Sequence, residues 1–349
     1  MFKRNRGTGN YAYTVAKVKA KKSLLLKEED YDKMLMMTVP EISRYISEAG
    51  YTKEMTDLAT RLSGLNLLEH ATNLNMAKVF SSILASSTGE LREMVSGYLD
   101  KWDLWNLKVI LRGKSYGLDA EGIKEDLVPA GRISADSLEK LIALDSDEEI
   151  ISSFGKMAHI EVPSEVIASY KSSGNLGVIE DFLDKAHYER LVRSISLTSR
   201  PSYLFYYYTR EQVDIKNFET ILKLKAEGIY GEPVMKYIIK GGRHIDEKML
   251  ASLANAEDIN AMMSEVSQLE FGEEIREALE AKDIRNVVLG LRKYERQKAK
   301  KFSRLYPLSV IPVVDYMINK EYEVRNIRVI ARGTESGLDR ETIKGLLVI

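Results

Sequence analysis

The chain has no cysteine, which excludes disulfides, thiolate metal sites and a cysteine nucleophile, and suits a reducing compartment. Only seven prolines occur in 349 residues, so little interrupts long helices. The four histidines are scattered, and His159, His187 and His244 have no partner at metal-ligand spacing. No run approaches the roughly 18 to 20 apolar residues needed to span a bilayer. The basic opening Phe2-Lys3-Arg4-Asn5-Arg6-Gly7 leads into no apolar signal core, so a soluble chain is expected. Excess charge is also missing: 51 Lys and Arg face 52 Asp and Glu. The molecule as a whole is therefore drawn to neither nucleic acid nor membrane, and any attraction must be local.

What the chain does contain is a repeat. Trp102-Asp103-Leu104-Trp105-Asn106-Leu107-Lys108-Val109-Ile110-Leu111-Arg112-Gly113 returns as Val213-Asp214-Ile215-Lys216-Asn217-Phe218-Glu219-Thr220-Ile221-Leu222-Lys223. It returns again as Tyr322-Glu323-Val324-Arg325-Asn326-Ile327-Arg328-Val329-Ile330-Ala331-Arg332-Gly333. The asparagines lie 111 and 109 residues apart. In each copy four apolar positions fall on one helical stripe: Leu104, Leu107, Ile110, Leu111; Ile215, Phe218, Ile221, Leu222; Val324, Ile327, Ile330, Ala331. Eleven residues after each asparagine stands a glycine, Gly117, Gly228 or Gly337, followed by Leu118, Ile229 or Leu338. That pattern is a helix stop with an apolar C-terminal contact.

A second sign recurs as helix starts: Thr38-Val-Pro-Glu41-Ile42, Ser146-Asp-Glu-Glu149-Ile150 and Asn255-Ala-Glu-Asp258-Ile259. Met36, Leu144 and Leu253 each stand six residues before the isoleucine. Helical spacing without convincing alternation predicts an all-α protein. Pro129-Ala130-Gly131 and Gly241-Gly242 divide it into helical repeat domains at 1–131, 132–242 and 243–349. Such a period is too long for a helical-hairpin solenoid and suits three whole domains. The first helix is expected at Tyr11 to Leu26; Lys17, Lys19, Lys21, Lys22 and Lys27 make this the most basic segment, with no acid in it.

The signature, the opening Tyr11-Ala-Tyr13-Thr-Val15-Ala-Lys17-Val-Lys19, and the run Ile123-Lys124 to Leu127-Val128-Pro129-Ala130-Gly131 together resemble the C subunit of the archaeal and bacterial V/A-type ATP synthase. That family is related to the d subunit of eukaryotic V-ATPases, and the likeness covers the whole chain. It implies three similar helical domains arranged as a short funnel about a pseudo-threefold axis. It also implies a non-catalytic central-stalk (rotor) component joining the axle, made of the D and F subunits, to the cytoplasmic loops of the membrane proteolipid ring. Such a protein sits peripherally on the cytoplasmic side of the membrane, with no cofactor, small-molecule substrate or nucleic acid. The rival readings are a generic helical scaffold for soluble partners and an enzyme with a dispersed site.

No reaction centre is apparent. Gly113-Lys114-Ser115 lacks the preceding glycine of a phosphate loop, since that position is Lys108. Asp145, Asp147, Glu148 and Glu149 surround a helix N-cap, where carboxylates stabilise the helix start. Tyr203 and Phe205 to Tyr208 read as packing rather than a base-stacking platform.

Charge points instead to contacts. Unit two carries the helix pair Glu219 and Lys223, whereas Lys108 with Arg112, and Arg328 with Arg332, set like charges one turn apart. Either these cations complement the helix dipole or a carboxylate from a neighbouring domain or another protein faces them. Trp105 and Val109 form a second apolar face on the first signature helix, which predicts burial on two sides, against a sister domain or a partner chain. The run Arg292, Lys293, Arg296, Lys298, Lys300, Lys301 and Arg304 is either a solvated face or a contact to acidic loops. The partner-interface expectation is therefore Trp105, Lys108, Arg112, Lys298, Lys301, Arg328 and Arg332.

Overall fold

A computed structural model describes residues 9–257 and 260–349. The chain is all-helical, with no strand among the described residues. In order the helices are α1 (Tyr11–Lys22), α2 (Glu28–Met34), α3 (Val39–Ile46), α4 (Thr52–Leu58), α5 (Gly64–Ser86), α6 (Gly89–Ser115) and α7 (Ala120–Glu125). Then come α8 (Ala135–Ile142), α9 (Asp147–Ala158), α10 (Ser164–Ser173), α11 (Gly177–Ser194), α12 (Arg200–Ala226) and α13 (Glu232–Met235). The last are α14 (Glu247–Asn255), α15 (Met263–Val266), α16 (Gly272–Glu280), α17 (Ile284–Leu305), α18 (Ile311–Glu335) and α19 (Arg340–Gly345). The three signatures occupy α6, α12 and α18.

By its contacts the chain forms two compact units: the stretch up to Phe154 joined by Phe302–Ile349, and Gly155–Lys301. In the first unit α18 packs against α1, α2, α3 and α5. Its Ile327, Ile330 and Ala331 share a core with Met34, Ile42, Ile46, Tyr51 and Leu68 from the start of the chain. In the second, Ile215, Phe218, Ile221 and Leu222 of α12 pack with Val234, Leu250, Leu253, Phe271 and Leu279, all of which follow it. Every residue of the three predicted stripes is buried. Each of these side chains except the smaller Ala331 contributes about 1.5–3 kcal/mol on leaving water.

Polar bonds fix what those stripes cover. Asn106 donates from Nδ2 to the Val128 carbonyl at 2.9 Å and accepts the Val128 N–H at 2.7 Å. Asn217 makes the same pair with Ile239 at 2.9 and 2.8 Å, and Asn326 with Val348 at 2.9 and 3.0 Å. All three amides are buried, and all three partners lie 22 residues on. A carboxamide holds donor and acceptor side by side, so it can satisfy both backbone groups of one residue.

An acid one turn earlier completes the clamp. Asp103 accepts the N–H groups of Arg132 (2.8 Å) and Ile133 (3.1 Å). Asp214 accepts those of Arg243 (2.9 Å), His244 (2.7 Å) and Ile245 (3.3 Å). In copy three the donor comes from the beginning of the chain: Leu26 N–H to Glu323 at 2.7 Å. The other Glu323 oxygen takes the Tyr51 hydroxyl at 2.6 Å and Lys320 at 2.8 Å. Burial holds Tyr51 far above the usual phenol range, so it remains a donor. Gly131 and Gly242 lie where a Cβ would fall inside the Asp103 or Asp214 carboxylate. These glycines, read from sequence as unit ends, are points of close approach to the signature helix.

The stops also repeat. Gly117, Gly228 and Gly337 have φ of +70°, +79° and +69°, a left-handed conformation that suits glycine. The next N–H returns to the carbonyl of Gly113, Leu224 or Gly333 at 2.9 Å, the six-to-one bond of a Schellman turn. The expected apolar contact is weaker than the motif suggests: Leu118 and Leu338 are 48 % and 47 % exposed, and only Ile229 joins a core.

The helix starts agree in two of three places. Thr38 N–H donates to Glu41 at 2.8 Å, and Glu149 N–H donates to Ser146 Oγ at 3.2 Å. Asn255 is instead the last residue of α14, while Asp258 and Ile259 lie outside the described residues. Leu253 is buried but Met36 is 64 % exposed, so that spacing does not mark one structural position. The first helix ends at Lys22 rather than Leu26, because Ser23–Leu26 must turn to present the Leu26 N–H to Glu323.

Burial outweighs the two N–H bonds at Asp103 and raises its carboxyl to about 7 from the ordinary 3.8. The folded chain then holds a proton that the unfolded chain releases between these values, so this group's contribution to stability declines as pH rises through that window. Denaturation midpoints of wild type and Asp103→Asn should shift relative to each other by roughly 2–3 kcal/mol between pH 5 and 8, against wild type. A difference independent of pH would contradict this.

Candidate functional site

The like charges on α18 share the carboxylate of Glu69, with Asp126 acting on both from farther off. Glu69, near the start of α5, receives both Arg332 nitrogens in a fork, with Nη2 to Oε2 at 2.7 Å, and lies 4.0 Å from Arg328. Of the two readings of these cations, copy three takes the carboxylate. Hydrogen bonding to Glu69 raises Arg332, whereas burial lowers Arg328 against the pull of the same acid. Lys124 and Glu139 form a further surface pair at 2.8 Å in the same unit.

On the first signature helix, Arg112 is exposed and Lys108 half-buried. Trp105 is 43 % exposed and Val109 half-buried, so the second apolar face of α6 is partly open within this chain. It is not isolated, however. Trp105 meets Trp102 edge-on at 6.2 Å, and Trp102 meets Phe80 of α5 at 6.4 Å, an aromatic row that leads from core to surface.

Copy two departs from the helix-pair expectation. Glu219 is buried and lies 3.6 Å from Lys216, one turn before it, instead of pairing with Lys223. The basic run on α17 also divides. Lys298 is turned inward, 11 % exposed at its side chain, 3.1 Å from Glu211 and ion-paired with Glu270. Arg243, 3.6 Å from Glu211 and 3.9 Å from Glu270, and the Tyr294 hydroxyl on Glu211 complete that network. The Lys298 ammonium is therefore engaged by two carboxylates inside the unit. Lys300 and Lys301 are exposed.

The remaining polar motifs have structural uses. Gly113-Lys114-Ser115 is the last turn of α6, and Lys114 donates to the Leu144 carbonyl at 2.8 Å. Phe205 and Tyr208 are buried, Tyr203 and Tyr207 stack edge-on at 4.8 Å, and Arg210 donates to the Gly241 carbonyl at 3.0 Å. His70 lies 2.7 Å from the Glu125 carbonyl. A groove of about 970 Å³ in the second unit is lined by Val166, Phe182 and Tyr237, with Glu165, Arg190 and Arg193 mixing charge on its walls. Among the described residues no group of three or more His, Cys, Asp or Glu is placed to hold a metal ion.

Sequence reasoning assigned no role to Asp103, Asp214 and Glu323. The available signal was an acid three residues before every signature asparagine.

This is an all-helical protein whose recurring feature is a clamped and capped signature helix used three times. It belongs to the ATP synthase (C/AC39) subunit family, which its residues 14–346 match. It is 34 % identical over 350 residues to the C subunit of the A-type ATP synthase of Methanococcoides burtonii, covering 99 % of this chain and 96 % of that one. With the corresponding A-type ATP synthase protein of Archaeoglobus fulgidus it shares 34 % identity over 349 residues, 100 % and 98 % of the two chains. With that of Haloferax volcanii it shares 32 % over 350 residues, 98 % and 99 %.

Removing Glu69 leaves two guanidinium groups one turn apart, whereas removing Arg332 leaves a carboxylate that still has Arg328. Glu69→Gln should therefore destabilise more than Arg332→Gln, by about 0.5–1 kcal/mol at low salt given the exposure of Arg332, and the gap should shrink in high salt. Equal costs, insensitive to salt, would contradict the shared-carboxylate reading.

Proposed function

We propose that this chain is a central-stalk component of a V/A-type ATP synthase, joining the axle, made of the D and F subunits, to the membrane proteolipid ring without catalysing a reaction itself. The observation that carries the reading is the near full-length match to the C subunits of A-type ATP synthases, combined with a clamp that holds each signature helix rigidly to the chain around it. A torque-bearing link needs stiffness. Buried amide and carboxylate bonds to backbone resist sliding, because breaking them leaves buried polar groups unpaired at about 1–3 kcal/mol each.

In this reading the repeats form three helical domains, 1–131, 132–242 and 243–349, that meet partners of different symmetry. Trp105 and Lys301, exposed on α6 and α17, face those partners, while Arg328, Arg332 and Lys298 hold the body together. No described helix is long and apolar enough to cross a membrane; in this reading the chain sits peripherally on the cytoplasmic side.

The test is to deplete this chain from reconstituted enzyme and measure ATP hydrolysis and ion pumping together. Hydrolysis by the soluble head is expected to persist while pumping is lost. Equal loss of both would point to a catalytic part and overturn the reading.

A further inference from the structure

Residues 1–27 carry eight Lys and Arg and no Asp or Glu, in a chain whose net charge is −1. The remainder of the protein is therefore net acidic, and the coupling role makes no use of this asymmetry. Such a segment in a protein with no global charge excess marks a local electrostatic contact.

The fold consumes part of that charge. The inner face of α1, Thr14, Val15 and Val18, is buried, and the helix packs on α5 and α18. Lys17 donates to the Ser82 carbonyl and to the Ser82 and Ser86 hydroxyls, each at 3.1 Å. Lys22 reaches Asp315 at 2.5 Å. Lys19, Lys21 and Lys27 form no ion pair among the described residues. The outward face between them is apolar or small: Ala12, Tyr13, Ala16, Ala20 and Leu24 are exposed, with Tyr13 at 62 % and Leu24 at 77 %. Tyr13 on α1 and Leu24 just past its end are thus held in water near Lys19 and Lys21, with Lys27 following at the N-cap of α2.

We propose that this outer face of α1, with the Ser23–Lys27 turn that follows it, docks on the anionic phospholipid headgroups of a membrane. The choice of lysine favours lipid over an acidic protein. Protein interfaces favour arginine and are depleted in lysine, because a planar fork matches a fixed carboxylate. Between Tyr11 and Lys27 every cation is lysine, a point charge on a flexible stem that can follow a laterally mobile sheet of phosphates. Near such a surface each cation improves binding about fivefold. Tyr13 and Leu24 supply the shallow apolar anchors that an interfacial helix uses.

The inference rests on the proposed seat beside the membrane for where lipid is met; binding itself belongs to the isolated chain. Purified full chain is co-sedimented with phosphatidylglycerol vesicles and with phosphatidylcholine vesicles, at low and high salt. Wild type should bind the first at low salt and neither at high salt. The Lys19→Gln/Lys21→Gln/Lys27→Gln variant should bind about a hundredfold more weakly. Tyr13→Ser/Leu24→Ser should also bind more weakly while keeping its helical circular dichroism. Absence of binding to phosphatidylglycerol vesicles, or equal binding by wild type and the triple lysine variant, overturns the proposal. So does a triple variant that fails to rejoin the depleted enzyme while the wild-type chain ignores vesicles, since the face then serves a protein. If the chain binds vesicles but its depletion leaves pumping intact, the coupling role fails and the lipid surface stands.

Discussion

A buried amide that bonds both backbone groups of a residue 22 positions away is the constraint on which the rest of the structure depends. A long helix with one apolar stripe could rotate or slide against its neighbours at small cost, because apolar contact has little directional preference. Asn106, Asn217 and Asn326 remove that freedom. Once each is sealed from water, its partner must stay in place or leave two unsatisfied groups in the core. The acid one turn earlier fixes the next stretch of chain, and the close approach of Gly131 or Gly242 makes room for it. Register, helix stop and loop path then follow from a few polar bonds rather than from packing alone.

The third copy shows how the constraint outlives a change in connectivity. Where copies one and two bind the chain that follows them, Glu323 reaches back to Leu26, with one more methylene than the aspartates. This draws α1 and the residues after it onto α18, together with Tyr51 and Lys320, and the contact-defined first unit joins both ends of the described chain accordingly. The same neighbourhood brings Glu69 to Arg328 and Arg332. The proposed mechanical role needs such closure, because a link whose last signature helix could peel away would lose torque.

What could be read from sequence was what depends on local backbone geometry. The stripes were legible because buried positions on a helix must recur at its own period, and the glycine stops because a left-handed residue favours glycine. Contacts between distant segments were harder. The need for an acid opposite Arg328 and Arg332 could be inferred from repulsion, but Glu69 could not be named, since nothing local links it to α18. Lys298 looked open to solvent or to a partner because a charge run carries no record of buried Glu211 on another helix. Asn255 resembled a helix start because N-caps and helix ends draw on the same small polar residues. Trp105 looked covered because periodicity marks an apolar face and cannot say whether this chain or another one covers it.

Native-state hydrogen exchange at the backbone N–H groups of Val128, Ile239 and Val348 tests the central claim most directly. If the three amides clamp equivalent points, all three hydrogens should exchange only with the largest opening events, and Asn217→Ala should release Ile239 while leaving Val128 and Val348 protected. Rapid exchange at any of the three in the unaltered protein, or protection of Ile239 unchanged in Asn217→Ala, would contradict it.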